Sequence, residues 1–200
     1  IMNGALTIGD LAFKDCIWEQ NGVLSASSLN IEGGSSSVNS DVTVASLTLT
    51  NIFALNGSGS VTVTDHGACS AVSSMAINSK LVVAPGATFD IAANTYVTVN
   101  GILKNEGVLN LAGYLYVNGN TPYGFSNAVG GIVNLTTDSE SGNAAIGGEP
   151  SGIAENRGTI RKLGPKRSQI RDDSIGAVTF NNYGTINVLE GTLDVYASGE

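Results

Sequence analysis

The sequence predicts an all-β protein that coils into a solenoid, in which each coil, or rung, stacks on the one before it. Three observations predict this fold: a recurring motif, short strands with alternating apolar residues, and a high content of turn-forming residues. The motif places a glycine directly before an apolar strand in residues 105–111, 129–135, 156–162 and 182–188. A unit that holds only a turn and a strand cannot bury its apolar face alone, so it must stack on a neighbour.

The interval between repeats sets the size of the rungs. Strand starts in the first half of the chain follow one another at shorter intervals than the motif glycines of the second half. We therefore predict rungs of about 20–27 residues, with longer corners in the second half. The strand starts are Gly22, Asp41, Gly59 and Lys80, and the motif glycines are Gly107, Gly131, Gly158 and Gly184.

The composition favours one domain of short strands. The chain has 200 residues, of which 42% are hydrophobic and 13% are charged, and this is enough for one sizeable core. Its 26 glycines and only 4 prolines favour strands joined by turns. We assign residues 1–200 to a single solenoid, with 1–20 as a candidate N-terminal cap and 136–153 and 161–177 as longer corner loops.

Three tyrosines are predicted to lie outside the solenoid. Side chains alternate along a strand, so inward packing of the neighbouring valines and leucines turns Tyr96, Tyr114 and Tyr116 outward. Such rings can stack on sugars or contact a partner. Aromatic residues also suit the surface of a strand for purely structural reasons. Both interpretations stay open at this point.

Asparagine recurs at the corner before the motif glycine. A line of amides can bind sugar hydroxyls or ions, but asparagine also tolerates the left-handed conformation and can hydrogen-bond its counterpart on the next rung. We favour the structural interpretation, which predicts an asparagine ladder. The corner residues are Asn105 with Gly107, Asn156 with Gly158, and Asn182 with Gly184.

Positive charge is concentrated in one segment of an acidic chain. The net charge is −8, yet six of the nine basic residues lie within residues 157–171, which hold no acid. This segment is either a solvated loop or a contact surface for an acidic partner, and another copy of this chain is the most available acidic partner. Nucleic acid is not expected as a partner, because the remaining surface would repel phosphate.

The two cysteines, Cys16 and Cys69, are separated by a stretch of chain that corresponds to two to three rungs. At about 4.8 Å per rung they would lie too far apart for a disulfide bond on a common face. A bridge is expected only if residues 1–20 fold back as a cap. Otherwise both remain thiols, and the sequence does not decide between the two outcomes.

No residue pattern predicts an enzyme. His66 is the single histidine, and it lies in a turn-like stretch without the partners of a catalytic triad. Metal binding by Asp65, His66 and Cys69 lacks a fourth ligand. The acidic doublet at 172–173 lacks the companion motifs of polysaccharide lyases and hydrolases, which we keep as a less favoured alternative. We therefore expect no enzymatic activity, no cofactor and no metal.

Residues 155–164 and 178–195 resemble repeats of very large secreted bacterial surface proteins, which read Asn-x-Gly-Thr-Ile followed by Phe-Asn-Asn-x-Gly-Thr-Val and Gly-Thr-Leu. This resemblance implies a right-handed parallel β-helix that acts as a stalk, an adhesin or a surface fibre. It also implies a secreted or cell-surface location. No apolar run approaches the roughly 20 residues of a membrane-spanning helix.

We expect an extracellular structural protein whose copies associate head to tail, because strands close to both termini would leave exposed edges. The alternative is a carbohydrate-binding module that presents Tyr96, Tyr114 and Tyr116 to a cell-surface polysaccharide. The residues expected at the contact between copies are Ala5, Leu6, Thr7, Ile8, Thr192, Leu193, Asp194 and Val195 of the terminal strands, and Arg161, Lys162, Lys166 and Arg167 of the basic segment.

Overall fold

The computed structural model describes residues 1–71, 74–119, 124–136, 145–171 and 178–199. These residues form strands and turns without a helix, and every strand pair is parallel. The strands stack into a β-solenoid of about eight turns, which confirms the predicted fold class. Each rung contributes its strands to three faces, which we call A, B1 and B2.

Face A is one continuous sheet that runs the length of the solenoid. Its strands in stacking order are β2 (Ile17–Gln20), β4 (Ser35–Val38), β6 (Ala54–Asn56), β8 (Ser74–Ile77), β11 (Tyr96–Val99), β14 (Tyr114–Val117), β17 (Ile146–Gly148), β20 (Arg167–Arg171) and β23 (Thr192–Tyr196).

Faces B1 and B2 begin as the two halves of long bent strands and separate after the fourth rung. The long strands are β1 (Leu6–Lys14), β3 (Leu24–Glu32), β5 (Val42–Thr50) and β7 (Ser60–Ser70). Face B1 continues as β9 (Lys80–Val83), β12 (Ile102–Asn105), β15 (Phe125–Asn127), β18 (Ile153–Asn156) and β21 (Thr179–Asn182). Face B2 continues as β10 (Thr88–Ile91), β13 (Val108–Leu111), β16 (Ile132–Leu135), β19 (Thr159–Lys162) and β22 (Thr185–Val188).

The register between rungs keeps apolar side chains in straight columns. A short step along the chain pairs Leu6 with Leu24, and a much longer one pairs Phe125 with Ala154. Most four-residue strands alternate half-buried and buried positions, so each points two side chains into the core. Full burial of one such leucine or valine stabilises the fold by about 1.5–3 kcal/mol. The range of rung lengths is wider than the sequence predicts, because the corners and not the strands vary.

Three predicted boundaries are corrected by the structure. Residues 1–20 are no separate cap: β1 and β2 pair with β3 and β4, and the first strand starts at Leu6 rather than Ala5. The predicted loop 161–177 contains the end of β19 and the whole of β20, so its described corner is only 163–166. The predicted loop 136–153 contains β17, and its residues 137–144 lie outside the described part.

Candidate functional site

The three predicted tyrosines form one cluster on the outer side of face A. Tyr96 and Tyr114 are register partners on adjacent rungs, with ring centroids 4.6 Å apart, and the Tyr116 centroid lies 5.7 and 6.0 Å from theirs. The Tyr116 hydroxyl donates a hydrogen bond to Glu149 Oε1 at 2.6 Å. All three rings are partly exposed. The stacking direction therefore builds an aromatic patch with a carboxylate beside it.

An exposed ladder of asparagines runs beside this cluster, where the strands of face A end. The Nδ2 of Asn78 donates to Asn56 Oδ1 at 2.6 Å, that of Asn100 to Asn78 at 2.7 Å, and that of Asn118 to Asn100 at 3.0 Å. This row was not predicted from the sequence. Its signal is the asparagine that precedes a glycine or serine at each of these four corners.

A second, buried ladder lies at the corner between faces B1 and B2. It joins Asn105, Asn127, Asn156 and Asn182, with Nδ2 to Oδ1 distances of 2.8, 2.7 and 2.6 Å. The same amide groups donate to backbone carbonyls of face B2, such as Asn105 to Ile132 at 2.9 Å. Its members lie mostly inside the protein and bond to one another, so this ladder has a structural role and offers no binding surface. Gly107, Gly158 and Gly184 follow the corner and allow the stacked backbones to approach closely.

The basic segment is engaged largely within the chain. The Lys162 side chain is fully buried, and its Nζ donates to the carbonyls of Leu163 at 3.0 Å and Gly164 at 2.7 Å. Arg167 pairs with Asp194, and this carboxylate raises the pKa of the Arg167 guanidinium. The expectation that Lys162 is an exposed contact residue is therefore wrong. Side chains alternate along β19, and Lys162 points to the same side as the buried Ile160.

Another cation of this segment, Arg157, also has partners within the chain. Its Nε donates to Glu155 Oε1 at 2.8 Å, and its guanidinium lies 5.1 Å from the Tyr183 ring centroid. Arg161 and Lys166 are partly exposed. The basic segment is thus less available to a second molecule than its sequence indicates.

Both ends of the solenoid expose residues that would be core positions in an interior rung. At the start, Leu6, Leu11 and Phe13 of β1 are only partly buried. At the other end, Val188 is 51% exposed and Val195 is 49% exposed. Met2 forms a bridge to Gln20 beneath β2, and Ser198 forms a bridge to Thr179 above β21. The remaining edges of β1, β22 and β23 carry no further described strand.

The two cysteines are free thiols in the structure. Cys69 lies in the column that continues through Leu49 and Ile31 to Phe13, so it is three rungs away from the rung of Cys16. Three steps of about 4.8 Å exceed the reach of a disulfide. Burial raises the pKa of the Cys69 thiol to about 12. The alternative of a disulfide is therefore not realised in this geometry.

His66 lies within strand β7 and not in a turn. Its Nε2 is 3.8 Å from Asp90 Oδ2 on the outer surface, whereas Cys69 of the same strand points into the core. Asp65, His66 and Cys69 therefore do not converge. Among the described residues, no group of three His, Cys, Asp or Glu side chains is placed to bind a metal ion. The doublet Asp172–Asp173 lies outside the described residues.

Comparison with protein-family models gave no match, and searches of curated proteins and of solved structures also gave none. The part of the chain that the structure describes has no helix of the length and apolarity that a membrane span requires. Any statement about function must therefore come from the tyrosine cluster, the exposed amide ladder and the solenoid ends.

Proposed function

We propose that this chain is an extracellular structural protein, a segment of a stalk or filament that grows when further rungs stack on its ends. The observation that carries the proposal is that the end rungs expose inward-facing apolar side chains beside open strand edges. Rungs that are exposed in this way are stabilised when further rungs stack on them. The likeness of residues 155–164 and 178–195 to repeats of secreted bacterial surface proteins supports the extracellular location.

The proposed contact joins one end of the solenoid to the opposite end of a second copy. Within the described residues, no strand pairs with the outer edges of β1, β22 and β23, and such edges offer backbone donors and acceptors to another strand. Stacking the two ends would cover Val188 and Val195, which interior rungs would bury. Because the two surfaces differ, the contact is heterologous, and stacking along the solenoid axis adds copies in a row instead of closing a ring.

Charge complementarity contributes less to this contact than the sequence predicts. Lys162 is buried and Arg167 is paired with Asp194 of the same chain, so at least two of the four candidate cations are engaged within the chain. Backbone pairing and apolar burial remain as the driving forces. We therefore expect association that depends only weakly on salt, since screening acts mainly on exposed charges.

The test is negative-stain electron microscopy with sedimentation velocity, at low and high salt, on the wild-type chain and on two variants. We expect filaments or extended oligomers of the wild type under both conditions. The variant Val195→Lys places a charge in the stacking surface and should shift the chain to monomers. The matched control is Val129→Lys, a residue that is 81% exposed in a corner turn away from both ends, and it should assemble like the wild type.

A wild-type chain that sediments as a monomer at every concentration and salt level would overturn the proposal of self-assembly. Equal loss of assembly in Val195→Lys and Val129→Lys would also contradict it, because the ends would then have no special role. Circular dichroism of both variants shows whether the solenoid remains folded.

A further inference from the structure

A groove follows the corner that leads from face A to face B1. Its volume is about 300 Å³. Residues of four successive corners line it, among them Ser58, Asn78, Ser79, Asn100, Gly101 and Gly119. The groove thus extends over several rungs and lies parallel to the axis of the solenoid.

Glycines determine the shape of this groove. A Cβ atom on Gly101 would overlap the carbonyl of Ser79 on the rung below, and a Cβ on Gly119 would collide with the carbonyl of Gly101. The corner backbones therefore stack without side chains between them. Asn78 and Asn100, which directly follow strands of face A, line one side of the groove. Lys80 and Ile102, which begin strands of face B1, line the other side.

The asparagine side carries hydrogen-bonding capacity at a regular interval. An amide group has two N–H donors and an oxygen with two lone pairs, and the ladder uses one donor and one lone pair of each interior member. Asn78 and Asn100 are exposed, so their second donor and second lone pair are available to a ligand. The interval is one rung, about 4.8 Å. A regular row of paired donors and acceptors suits a polymer whose hydroxyl groups also repeat.

A buried hydroxyl gives an independent indication of a ligand. Ser79 lines the groove and is only 4% exposed, yet its Oγ has no hydrogen-bond partner among the described residues. A buried polar atom without a partner destabilises a folded protein, so such atoms are uncommon in native proteins. A hydroxyl of a ligand in the groove can supply the missing hydrogen bond.

The tyrosine cluster continues the same surface. Tyr116 and Asn118 are two positions apart along one rung, and Tyr96 and Asn100 are four positions apart along the neighbouring rung. Residues an even number of positions apart along a strand point to the same side, so all four side chains lie on the outer side of face A. The aromatic patch is therefore a flank of the amide row. Apolar ring surface beside hydroxyl-binding groups is the combination that sugar rings require, since they have both C–H faces and hydroxyl edges.

We propose that this surface, made of the groove, the exposed asparagine ladder and the tyrosine cluster, binds a neutral polysaccharide along the axis of the solenoid. A polyphosphate is disfavoured by the net charge of −8. An extended peptide binds by adding a strand to an open edge, and this groove lies at a corner within the stack. The inference does not depend on the end-to-end assembly, because the surface lies on the side of the rod.

The test is isothermal titration and glycan-affinity electrophoresis of the purified chain with cellohexaose, mannohexaose and xylohexaose, and with polygalacturonate as an anionic comparator. We expect at least one neutral probe to bind and polygalacturonate to bind more weakly. The variant Ser58→Trp fills the groove from an exposed corner residue and should weaken binding by about tenfold or more. The variant Tyr114→Ala should also weaken it.

The matched control is Ser27→Trp, which adds the same ring at an exposed serine outside the groove and should leave the affinity unchanged. Failure of all three neutral probes to bind the folded wild type would overturn the proposal. Equal affinity of Ser58→Trp and Ser27→Trp would overturn it as well, because binding would then lie elsewhere. Loss of assembly in the end variants leaves this result unaffected, so the two proposals fail separately.

Discussion

The first four rungs and the later rungs form the same corner in two different ways. In β1, β3, β5 and β7 the corner between faces B1 and B2 is a bend within one long strand. From Lys80 onward this corner separates two short strands. The transition is visible in the register: Ala45 of β5 faces two residues of β7, Thr64 and Asp65, where the pairing shifts.

The comparison shows that the rungs from Asn105 onward support this corner with side-chain donors inside the protein. At the narrow corners the polar side chains bond on the surface, as Ser28 Oγ does to Asp10 Oδ1 at 2.7 Å. At the wider corners, backbone carbonyls such as that of Ile132 face inward, and buried backbone groups need partners. The buried asparagine ladder supplies them. Asparagine fits because its amide satisfies both a carbonyl and the next amide.

The largest expected effect is on the free energy of unfolding, and it should differ between the two halves of the solenoid. Replacing Asn127 by alanine removes the centre of the buried ladder and the hydrogen bonds that join it to Asn105 and Asn156, which should destabilise the protein by roughly 3 kcal/mol. Asn21 is the centre of an exposed ladder with Asn3 and Asn39 in the first half. Asn21→Ala should cost less than about 1 kcal/mol, because water replaces the lost bonds. Urea unfolding measures both, and equal losses would show that burial of the ladder does not matter.

A smaller effect is expected at the junction of the two halves. A Cβ atom on Gly67 of β7 would overlap the ring of Phe89 in β10, so Gly67→Ala should destabilise the protein by about 2 kcal/mol. Gly9→Ala in β1 meets no neighbour and should change stability by less than about 0.5 kcal/mol. Combining Gly67→Ala with Phe89→Leu should recover part of the loss. Strict additivity in this double-mutant cycle would show that the two residues do not interact.

The third effect depends on pH and is absent at neutral pH. Burial raises the pKa of Cys69 to about 12 from the ordinary value of 9.0, so the folded state keeps this proton while the unfolded state loses it. Stability is therefore unaffected below pH 9 and falls by up to about 1.4 kcal/mol per pH unit as the pH rises from 9 towards 12. Cys69→Ala should remove this part of the alkaline slope.

Iodoacetamide labelling at pH 8 gives a direct check of the same difference between the cysteines. Partly exposed Cys16 should react in the folded protein, and Cys69 should react only after unfolding. Rapid labelling of Cys69 in the native state would show that the core opens at the junction between the two halves.

The solenoid could be predicted from the sequence because successive motif glycines are one rung apart, so their spacing gives the register of the stacked strands. Val108, Ile132, Thr159 and Thr185, each directly after a motif glycine, are register partners in the structure. Asn127 was missed because its corner is longer, which moves the asparagine four positions before Gly131. Burial of Lys162 was missed because lysine is almost always exposed, although its parity with Ile160 indicated the inside.

The proposed binding surface was predicted only in part. Alternation within strands placed the three tyrosines outside, but their mutual contacts depend on which rungs are neighbours. The groove could not be predicted, because its shape depends on how the corner backbones of neighbouring rungs stack. The row of asparagines before Gly57, Ser79, Gly101 and Gly119 was the available signal.

The inner columns stay in register across the short step from Leu6 to Leu24 and equally across the long step from Phe125 to Ala154. The strands therefore keep their register whatever the number of residues in the corners between them. For protein engineering, the exposed turn at Val129, between β15 and β16, is consequently a natural site for a foreign peptide. Peptides inserted at this corner on successive rungs would be displayed at a regular spacing, which is the distance between hydrogen-bonded strands of neighbouring rungs.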